Sequence, residues 1–279
     1  MITDFPPSQP VSVGFSVGSE IPQGLTEAST AMDVFIRQLF IAFPDLADRD
    51  FYIAGESYGG SWVPALAASI VDSEFQSRRT ESVGPPRLSI QNGRMQAAYR
   101  SSMHAPIINL KGIMIGNGLI RTSVQNPGNF EAACSGPDSL LDTEQCLEWA
   151  PRAMWCENNL GICETAGWTT DECKYAREYC AEMGNYVTGE LHRNPYDWRR
   201  SCYDQSLCYD EVDLIQDFLN RTDVKVALGA DSDQAYNGVS YEVLETWDKI
   251  GDLWKSSDVY VNKLLDEVRR VQRRPTFLQ

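Results

Sequence analysis

Two serines of the sequence lie in the pattern Gly-x-Ser-x-Gly, which on the right backbone turns a serine hydroxyl into a nucleophile. They are Ser16, within residues 14–18, and Ser57, within residues 55–59. The chemistry needs a strand that turns sharply into a helix, because this elbow exposes the serine oxygen and points the helix N-terminus at the oxyanion formed in acyl transfer. The pattern alone often occurs by chance, so the flanking residues must decide between the two serines.

The residues around Ser57 fit that requirement, whereas those around Ser16 do not. Ser57 follows a short apolar run, Phe51–Ala54, that predicts a buried strand, and it precedes an apolar stretch from Ser61 to Val71 that predicts a helix. Ser16 follows a plausible strand at residues 10–13, but residues 19–24 contain proline and glycine and do not start a helix. We therefore predict that Ser57 is a nucleophile and that Ser16 lies in a loop. The alternative for Ser57 is a glycine-rich turn without chemistry.

A carboxylate stands directly before the predicted nucleophile, at Glu56. A negative charge beside a reacting centre is unfavourable unless it is protonated or paired. A protonated Glu56 would donate a hydrogen bond to a carboxylate of the substrate, and it would repel that substrate after ionising. The alternative is an exposed acid at the start of a helix, where the helix dipole favours negative charge. The sequence leaves both interpretations open.

The elements that would position these residues follow an α/β order. Apolar residues from Thr26 to Phe43 recur at spacings of three and four and predict a helix that Pro44 ends. Residues 77–102 are polar and predict a surface loop, and Leu110–Ile115 predict a second strand. The order helix, strand, helix, strand is typical of a parallel sheet with helices packed on it.

All eight cysteines lie between residues 134 and 208, and none forms the close Cys-x-x-Cys pair of a zinc site. Only His104 and His192 could add imidazole ligands, so we predict disulfides and no metal site. Disulfides persist in the secretory pathway rather than in the cytosol, although residues 1–10 lack the basic start and apolar stretch of a signal peptide. Asn220, in the sequon Asn-Arg-Thr, is a candidate glycosylation site.

Composition divides the chain into three predicted segments: a partial core at residues 1–124, a cysteine-rich insertion at 125–210, and a return to the core at 211–279. Helical periodicity reappears in the third segment at residues 213–219 and 260–271. The 24 basic and 39 acidic residues give a formal charge of −15, which disfavours binding to nucleic acid and to anionic lipid. No apolar run reaches the roughly 18 residues that cross a bilayer, and the sequence indicates no oligomeric state.

Residues 55–64, Gly-Glu-Ser-Tyr-Gly-Gly-Ser-Trp-Val-Pro, resemble the active-site segment of the serine carboxypeptidases of the carboxypeptidase Y type. Other segments of this family are similar to residues 9–16, which accounts for the second Gly-x-Ser-x-Gly, and to residues 110–119, 194–202 and 207–209. The resemblance extends from about residue 4 to residue 265. It implies an α/β-hydrolase fold, with an incomplete parallel-type sheet, helices on both faces and a disulfide-rich, mainly helical insertion.

The resemblance implies removal of C-terminal residues from peptides and proteins at acidic pH, without a cofactor, through an acyl-enzyme on Ser57. The backbone N–H of Tyr58 would be one oxyanion donor, and Glu56 would be part of the site that holds the terminal carboxylate of the peptide. Tyr196 and Tyr209 match positions that line the pocket of the leaving residue, and the alternative for each is a core aromatic of the insertion. The implied disulfides join Cys134 with Cys146, Cys156 with Cys180, Cys163 with Cys173 and Cys202 with Cys208.

The catalytic Asp and His of this family have no counterpart in the sequence. His104 and His192 both follow Ser57, but neither matches the family position, and only 56 residues precede the nucleophile. We therefore expect a chain that corresponds to the middle of a carboxypeptidase, without peptidase turnover of its own, from a vacuole- or lysosome-like lumen or the cell exterior. The alternatives are an acyltransferase or lyase on the same scaffold, and a non-catalytic peptide-binding or decoy protein.

Overall fold

The computed structural model describes residues 6–83, 107–135, 139–203 and 208–273. The chain divides into two compact units. The sheet unit comprises Leu25–Ile120 and Ser256–Gln279, and the cysteine-rich unit comprises Met1–Gly24 and Arg121–Lys255. This division groups residues 1–24 and 211–255 with the cysteine-rich region, whereas the sequence suggested that both belong with the core. The boundaries predicted at residues 124 and 210 stay a prediction.

The described part of the sheet unit contains two parallel strands and the helices that flank them in the chain. Its elements are helix α1 (Leu25–Ala42), strand β1 (Phe51–Glu56), helix α2 (Gly59–Val83), strand β2 (Leu110–Gly116) and helix α9 (Asp258–Arg273). The strands pair in parallel, from Phe51 opposite Leu110 to Glu56 opposite Gly116. The order predicted from the sequence, with a helix between two parallel strands, is therefore confirmed.

Two local predictions are wrong. Helix α2 includes residues 77–83, which the sequence placed in a loop, because arginine and glutamate are good helix formers despite their polarity. The helix ends where a Gly-Pro-Pro sequence follows, and residues 84–102 lie outside the described ranges. Residues 10–13 form a turn instead of a strand: the Val13 N–H donates to the Pro10 carbonyl at 3.1 Å, and Ser12 has a φ of 77°. That left-handed conformation is incompatible with strand pairing.

Helices α1 and α2 bury the apolar face that the periodicity of α1 predicts. Their shared cluster contains Met32, Ile36, Phe40, Leu66, Ile70 and Ile108. A buried ion pair lies beside it, where Arg37 Nε donates to Asp33 Oδ1 at 2.8 Å. Ser73 of α2 donates to the other carboxylate oxygen of Asp33 at 2.6 Å. Because this carboxylate is satisfied from both helices, it fixes the register of α1 against α2.

The cysteine-rich unit is mainly helical, as expected for the insertion. Its elements are α3 (Thr122–Ser135), α4 (Thr143–Ala166), α5 (Asp171–Asn185), β3 (Arg193–Asn194), β4 (Asp197–Ser201), α6 (Asp210–Leu219), α7 (Thr222–Leu228) and α8 (Tyr241–Lys249). Asp142 caps α4 by accepting from the Gln145 N–H at 2.9 Å, while the Gln145 side chain accepts from the Asp142 N–H. The helices predicted at residues 213–219 and 260–271 correspond to α6 and α9. Nowhere in the described ranges does a helix combine the length and apolarity needed to cross a bilayer.

Four disulfides lie within the cysteine-rich unit. They join Cys134 with Cys146, Cys156 with Cys180, Cys163 with Cys173 and Cys202 with Cys208. These are the four pairs that the resemblance implies. The second and third bridges connect α4 to α5 and form most of a small core with Leu160, Trp168 and Ala176. Each bridge contributes about 2–4 kcal/mol by restricting the unfolded chain, which matters in a unit with so small an apolar core.

Candidate active site

The turn between β1 and α2 has the geometry of a nucleophile elbow. β1 ends at Glu56, α2 begins at Gly59, and Ser57 between them has a φ of 58°. This left-handed conformation is unfavourable for an L-residue by about 1–2 kcal/mol. The Ser57 side chain is exposed. The structure thus places a strained, solvent-facing serine at the strand–helix junction where the sequence predicts the nucleophile.

Three glycines allow β1, α2 and the turn after β2 to approach each other closely. A Cβ atom on Gly55 would lie 2.7 Å from Cγ2 of Val63, and one on Gly60 would lie 2.5 Å from the nitrogen of Leu119. A Cβ atom on Gly118 would lie 2.9 Å from Cα of Gly60. Non-bonded carbon atoms do not pack at such distances, so the elbow requires glycine at these positions.

The peptide unit of Ser57 is fixed by backbone hydrogen bonds from two directions. Its N–H donates to the Gly116 carbonyl at 3.1 Å, and its own carbonyl accepts from the Gly60 N–H at 3.0 Å and the Leu119 N–H at 2.8 Å. The Ser61 hydroxyl donates to the Leu119 carbonyl at 2.9 Å. The elbow is therefore held between the first turn of α2 and the turn that follows β2.

Helix α2 begins directly behind the serine. The Ser61 and Trp62 N–H groups donate to the Tyr58 carbonyl at 3.0 and 3.1 Å, which closes the first turn. The N-terminus of a helix carries a partial positive charge, and the N–H that follows an elbow nucleophile is a standard oxyanion donor. An oxyanion formed at Ser57 would be stabilised here, so the arrangement supports acyl transfer once a base removes the serine proton.

Glu56 is the last residue of β1, and its side chain is exposed. Its partner across the sheet is Gly116, which presents no side chain to it. The carboxyl group of Glu56 is therefore accessible to a ligand next to Ser57. Both interpretations drawn from the sequence, a carboxylate-binding acid and an exposed acid at a helix start, fit this placement.

Tyr196 and Tyr209 belong to the cysteine-rich unit, where their ring centroids lie 5.8 Å apart. The Arg200 guanidinium lies over the Tyr209 ring at 5.0 Å. The fully buried Asn194 supports both tyrosines, since its side chain accepts from the Tyr196 N–H at 2.8 Å and donates to the Cys208 carbonyl at 3.0 Å. Tyr196 is 58% exposed, so it is not a core aromatic of this unit.

The other described candidates, Ser16, His192 and Asn220, also lie in the cysteine-rich unit. Ser16 lies in a turn and donates its hydroxyl to the Ser8 carbonyl at 2.5 Å, away from any strand–helix junction, so the loop prediction is confirmed. The His192 ring packs at 5.2 Å on the Tyr203 ring, while His104 lies outside the described residues. Across residues 6–83, 107–135, 139–203 and 208–273, no group of three or more His, Cys, Asp or Glu side chains could hold a metal ion. Asn220 ends α6 as its C-cap.

One residue that contacts the elbow was missed by the sequence reasoning. The Ser257 hydroxyl donates to the Gly60 carbonyl at 2.8 Å, across a separation of 197 residues. No local pattern predicts so distant a contact. The available signal was Pro64, because a proline inside a helix leaves one carbonyl without its usual donor.

The sequence is similar to those of known proteins over most of its length. The sequence model described as serine carboxypeptidase matches residues 8–272. The chain is 31% identical over 266 residues to carboxypeptidase Y of Candida albicans, a match that covers 93% of this chain and 42% of that protein. It is 32% identical over 251 residues to carboxypeptidase Y of Schizosaccharomyces pombe, covering 88% of this chain and 22% of that protein. The chain therefore spans less than half the length of these relatives.

A solved structure shares the fold. The match is to Kex1(delta)p, a prohormone-processing carboxypeptidase from Saccharomyces cerevisiae, with a TM-score of 0.64 and 19% sequence identity. It covers 93% of this chain and 53% of that chain. At this level of identity the similarity carries an argument about the fold alone.

Proposed function

The chain belongs to the serine carboxypeptidase family, an enzyme family with the α/β-hydrolase fold, and on that premise we propose that the protein cleaves C-terminal residues from peptides through an acyl-enzyme on Ser57. The observation that carries this proposal is the left-handed, exposed Ser57 between β1 and α2. Strain of this kind concentrates at functional sites. A glycine-rich turn without chemistry would have no reason to retain a serine in that conformation.

The proposed reaction begins when Ser57 Oγ attacks the carbonyl carbon of the last peptide bond, while a general base takes the hydroxyl proton and later gives it to the leaving amine. The negative charge that develops on the carbonyl oxygen is stabilised by the Tyr58 N–H and by the N-terminus of α2. The C–N bond then breaks, and the C-terminal residue leaves as its amine after receiving a proton. Water then hydrolyses the ester on Ser57, which releases the shortened peptide with a new terminal carboxylate and regenerates the hydroxyl.

We propose that Glu56 restricts the site to chain ends. An exposed carboxyl group one residue before the nucleophile can donate a hydrogen bond to a terminal carboxylate while it is protonated. Once ionised, it repels the same group. This gives the acidic pH dependence that the family resemblance implies. The resemblance also assigns Tyr196 and Tyr209 to the pocket of the leaving residue, and that role remains part of the proposal.

The general base is the part of the mechanism that these 279 residues do not supply. In this fold the chain order is Ser, Asp, His, and the two histidines, His104 and His192, do not match the family position. We therefore propose that the 279-residue chain alone does not turn over peptide. The four disulfides favour an oxidising compartment, so we place the protein in a vacuole- or lysosome-like lumen or outside the cell.

The proposed nucleophile is tested with a fluorophosphonate probe, which reacts with a serine hydroxyl slowly when only the oxyanion donors assist it and rapidly when a general base is also present. Because this chain has the elbow without the base, we expect slow labelling of the purified chain at Ser57, complete loss in Ser57→Ala, and full retention in Ser16→Ala. Ser16 is the matched control because it occupies the same Gly-x-Ser-x-Gly pattern in a turn. Labelling that persists in Ser57→Ala, or none in the unaltered chain, contradicts the proposal.

A second candidate is a peptide-binding protein without catalysis, favoured by the lack of a matching histidine. Calorimetric titration with a blocked dipeptide and with its C-terminal amide distinguishes the two. A binder gives carboxylate-dependent affinity at pH 5 with no fluorophosphonate labelling, whereas the enzyme gives both. In either case we expect Glu56→Ala to reduce the difference in affinity between the free acid and the amide, because alanine cannot form a hydrogen bond with the terminal carboxylate.

A further inference from the structure

Helix α2 has a carbonyl that lacks a helical donor just behind the elbow. In an α-helix the carbonyl of one residue accepts from the N–H four residues later. For Gly60 that residue is Pro64, which is fully buried inside α2 and has no N–H. A buried carbonyl without a donor is unfavourable by about 1–3 kcal/mol, so another group must satisfy it.

Ser257 supplies the missing donor. It is 1% exposed, and its hydroxyl oxygen lies 2.8 Å from the Gly60 carbonyl and 3.2 Å from the Ile120 carbonyl. The Ile120 carbonyl already accepts from the Ser257 backbone N–H at 2.8 Å. A hydroxyl has one proton, so the shorter contact, to the Gly60 carbonyl that cannot accept from Pro64, receives it.

These contacts connect Ser257 to the two segments that hold the nucleophile. The Ser57 carbonyl is held by the N–H groups of Gly60 and Leu119. Ser257 binds the carbonyl of Gly60 and that of Ile120, which directly follows Leu119. One residue at the start of α9 therefore fixes both segments: its hydroxyl holds the first turn of α2, and its backbone N–H holds the turn after β2.

We propose that Ser257 is a positioning residue for Ser57: its hydroxyl replaces the N–H that Pro64 lacks and so maintains the left-handed elbow and the oxyanion donor of Tyr58. Its catalytic consequence rests on the proposed function. The hydrogen bond from Ser257 to Gly60 does not depend on that function, so the hydrogen bond and the catalytic consequence are tested separately.

The hydrogen bond is tested by amide exchange in a double-mutant cycle. In Ser257→Ala we expect the Ser61 and Trp62 amides, which close the first turn of α2, to exchange about tenfold faster, while the Phe43 amide at the end of α1 is unchanged. In Pro64→Ala the new N–H can donate to Gly60, so adding Ser257→Ala to that variant should change exchange less than twofold. Ser29→Ala is the matched control: Ser29 is 2% exposed and its hydroxyl has no hydrogen-bond partner among the described residues, so we expect no effect on α2.

Two results overturn the proposal. One is that Ser257→Ala leaves the exchange rates of the Ser61 and Trp62 amides unchanged. The other is that Ser257→Ala accelerates this exchange equally in the unaltered chain and in Pro64→Ala. If Ser257→Ala does not fold, recovery of the fold in the double variant supports the proposal and failure to recover overturns it. The second measurement is the rate of fluorophosphonate labelling at Ser57, which we expect to fall about tenfold in Ser257→Ala and to be unchanged in Ser29→Ala. If the unaltered chain is not labelled at all, the proposed function fails, while the exchange cycle still decides the role of Ser257.

Discussion

The side-chain amide of Asn220 and the backbone of Tyr236 exchange two hydrogen bonds. The Tyr236 N–H donates to Asn220 Oδ1 at 2.8 Å, and Asn220 Nδ2 donates to the Tyr236 carbonyl at 3.1 Å. Nδ2 also donates to the Gln216 carbonyl at 2.9 Å. Both N–H groups of this amide are therefore in use, whereas attachment of a glycan replaces one of them. We expect mass spectrometry of the folded protein to find Asn220 without a glycan, and a glycopeptide at this site contradicts that.

Asn220→Ala should destabilise the cysteine-rich unit, because it leaves the Tyr236 N–H and carbonyl without partners. We expect a loss of about 1–3 kcal/mol in the free energy of unfolding, measured by urea denaturation. The matched control is Thr222→Ala, which destroys the sequon but retains the amide of Asn220. Thr222 is exposed, so the control should change stability by less than about 0.5 kcal/mol. If both substitutions lower the free energy of unfolding equally, a glycan at Asn220 is the cause and the hydrogen bonds of Asn220 with Tyr236 are not.

Hydrogen bonds between residues far apart in the sequence could not be predicted from it, whereas local features could. The periodicity of α1, the apolar runs of β1 and β2, and the choice of Ser57 over Ser16 all follow from residues within one element or its neighbours. The contact of Asn220 with Tyr236 spans 16 residues and the contact of Ser257 with Gly60 spans 197, so neither has a local pattern. The pairing of the cysteines likewise came from the family resemblance, since spacing alone leaves many pairings open.

The errors in local structure have a different origin. Residues 77–83 are helical because the intrinsic preference of charged residues for helix outweighs their polar appearance. Residues 10–13 look like a strand but pair with no strand in the described part of the chain, and the nearest pairing is a single bridge between Gly14 and Asn237. A strand requires a partner, and the partner cannot be read from the segment itself.

Strain at the nucleophile predicts an order of stabilities among variants that lack the hydroxyl. Ser57→Ala and Ser57→Gly both remove the nucleophile and differ only in the Cβ atom. Because the φ of residue 57 is 58°, glycine relieves the left-handed strain while alanine retains it. We expect Ser57→Gly to be more stable than Ser57→Ala by about 1 kcal/mol in urea denaturation. A Ser57→Ala variant as stable as Ser57→Gly would show that the elbow is not strained.

Strands β3 and β4 pair in antiparallel fashion and form a hairpin that carries Tyr196. The stability of this hairpin should depend on pH through Asp197. Arg199 Nε and Nη2 donate to the two Asp197 carboxylate oxygens at 2.8 and 3.0 Å, and this pairing holds the pKa of Asp197 below its ordinary value. Because the folded-state pKa is lowered, the pair stabilises the hairpin at neutral pH, and the stabilisation is lost as the pH falls through that lowered pKa.

Titration of the Asp197 carboxyl group by NMR measures this effect. In Arg199→Ala we expect the pKa of Asp197 to rise towards the ordinary value of an aspartate. Arg200→Ala is the control, because Arg200 acts on Asp197 only through a weaker charge interaction, and it should shift the pKa much less. A larger shift in Arg200→Ala than in Arg199→Ala would rule out the pairing as the cause.

Close packing behind the elbow predicts opposite effects for two glycine-to-alanine substitutions. A Cβ atom on Gly60 would lie 2.5 Å from the Leu119 nitrogen and 2.7 Å from the Gly118 carbonyl carbon, both in backbone that cannot rotate away. Gly60→Ala should therefore lower the free energy of unfolding by about 2–3 kcal/mol and reduce fluorophosphonate labelling of Ser57. Gly161 lies inside α4, and apart from the backbone of its own helix no atom of the described residues lies within 4 Å of the new Cβ. Gly161→Ala should stabilise the protein by about 0.5–1 kcal/mol, through helix propensity alone, and leave Ser57 labelling unchanged. If both substitutions stabilise the protein, the elbow is not packed as closely as the structure shows.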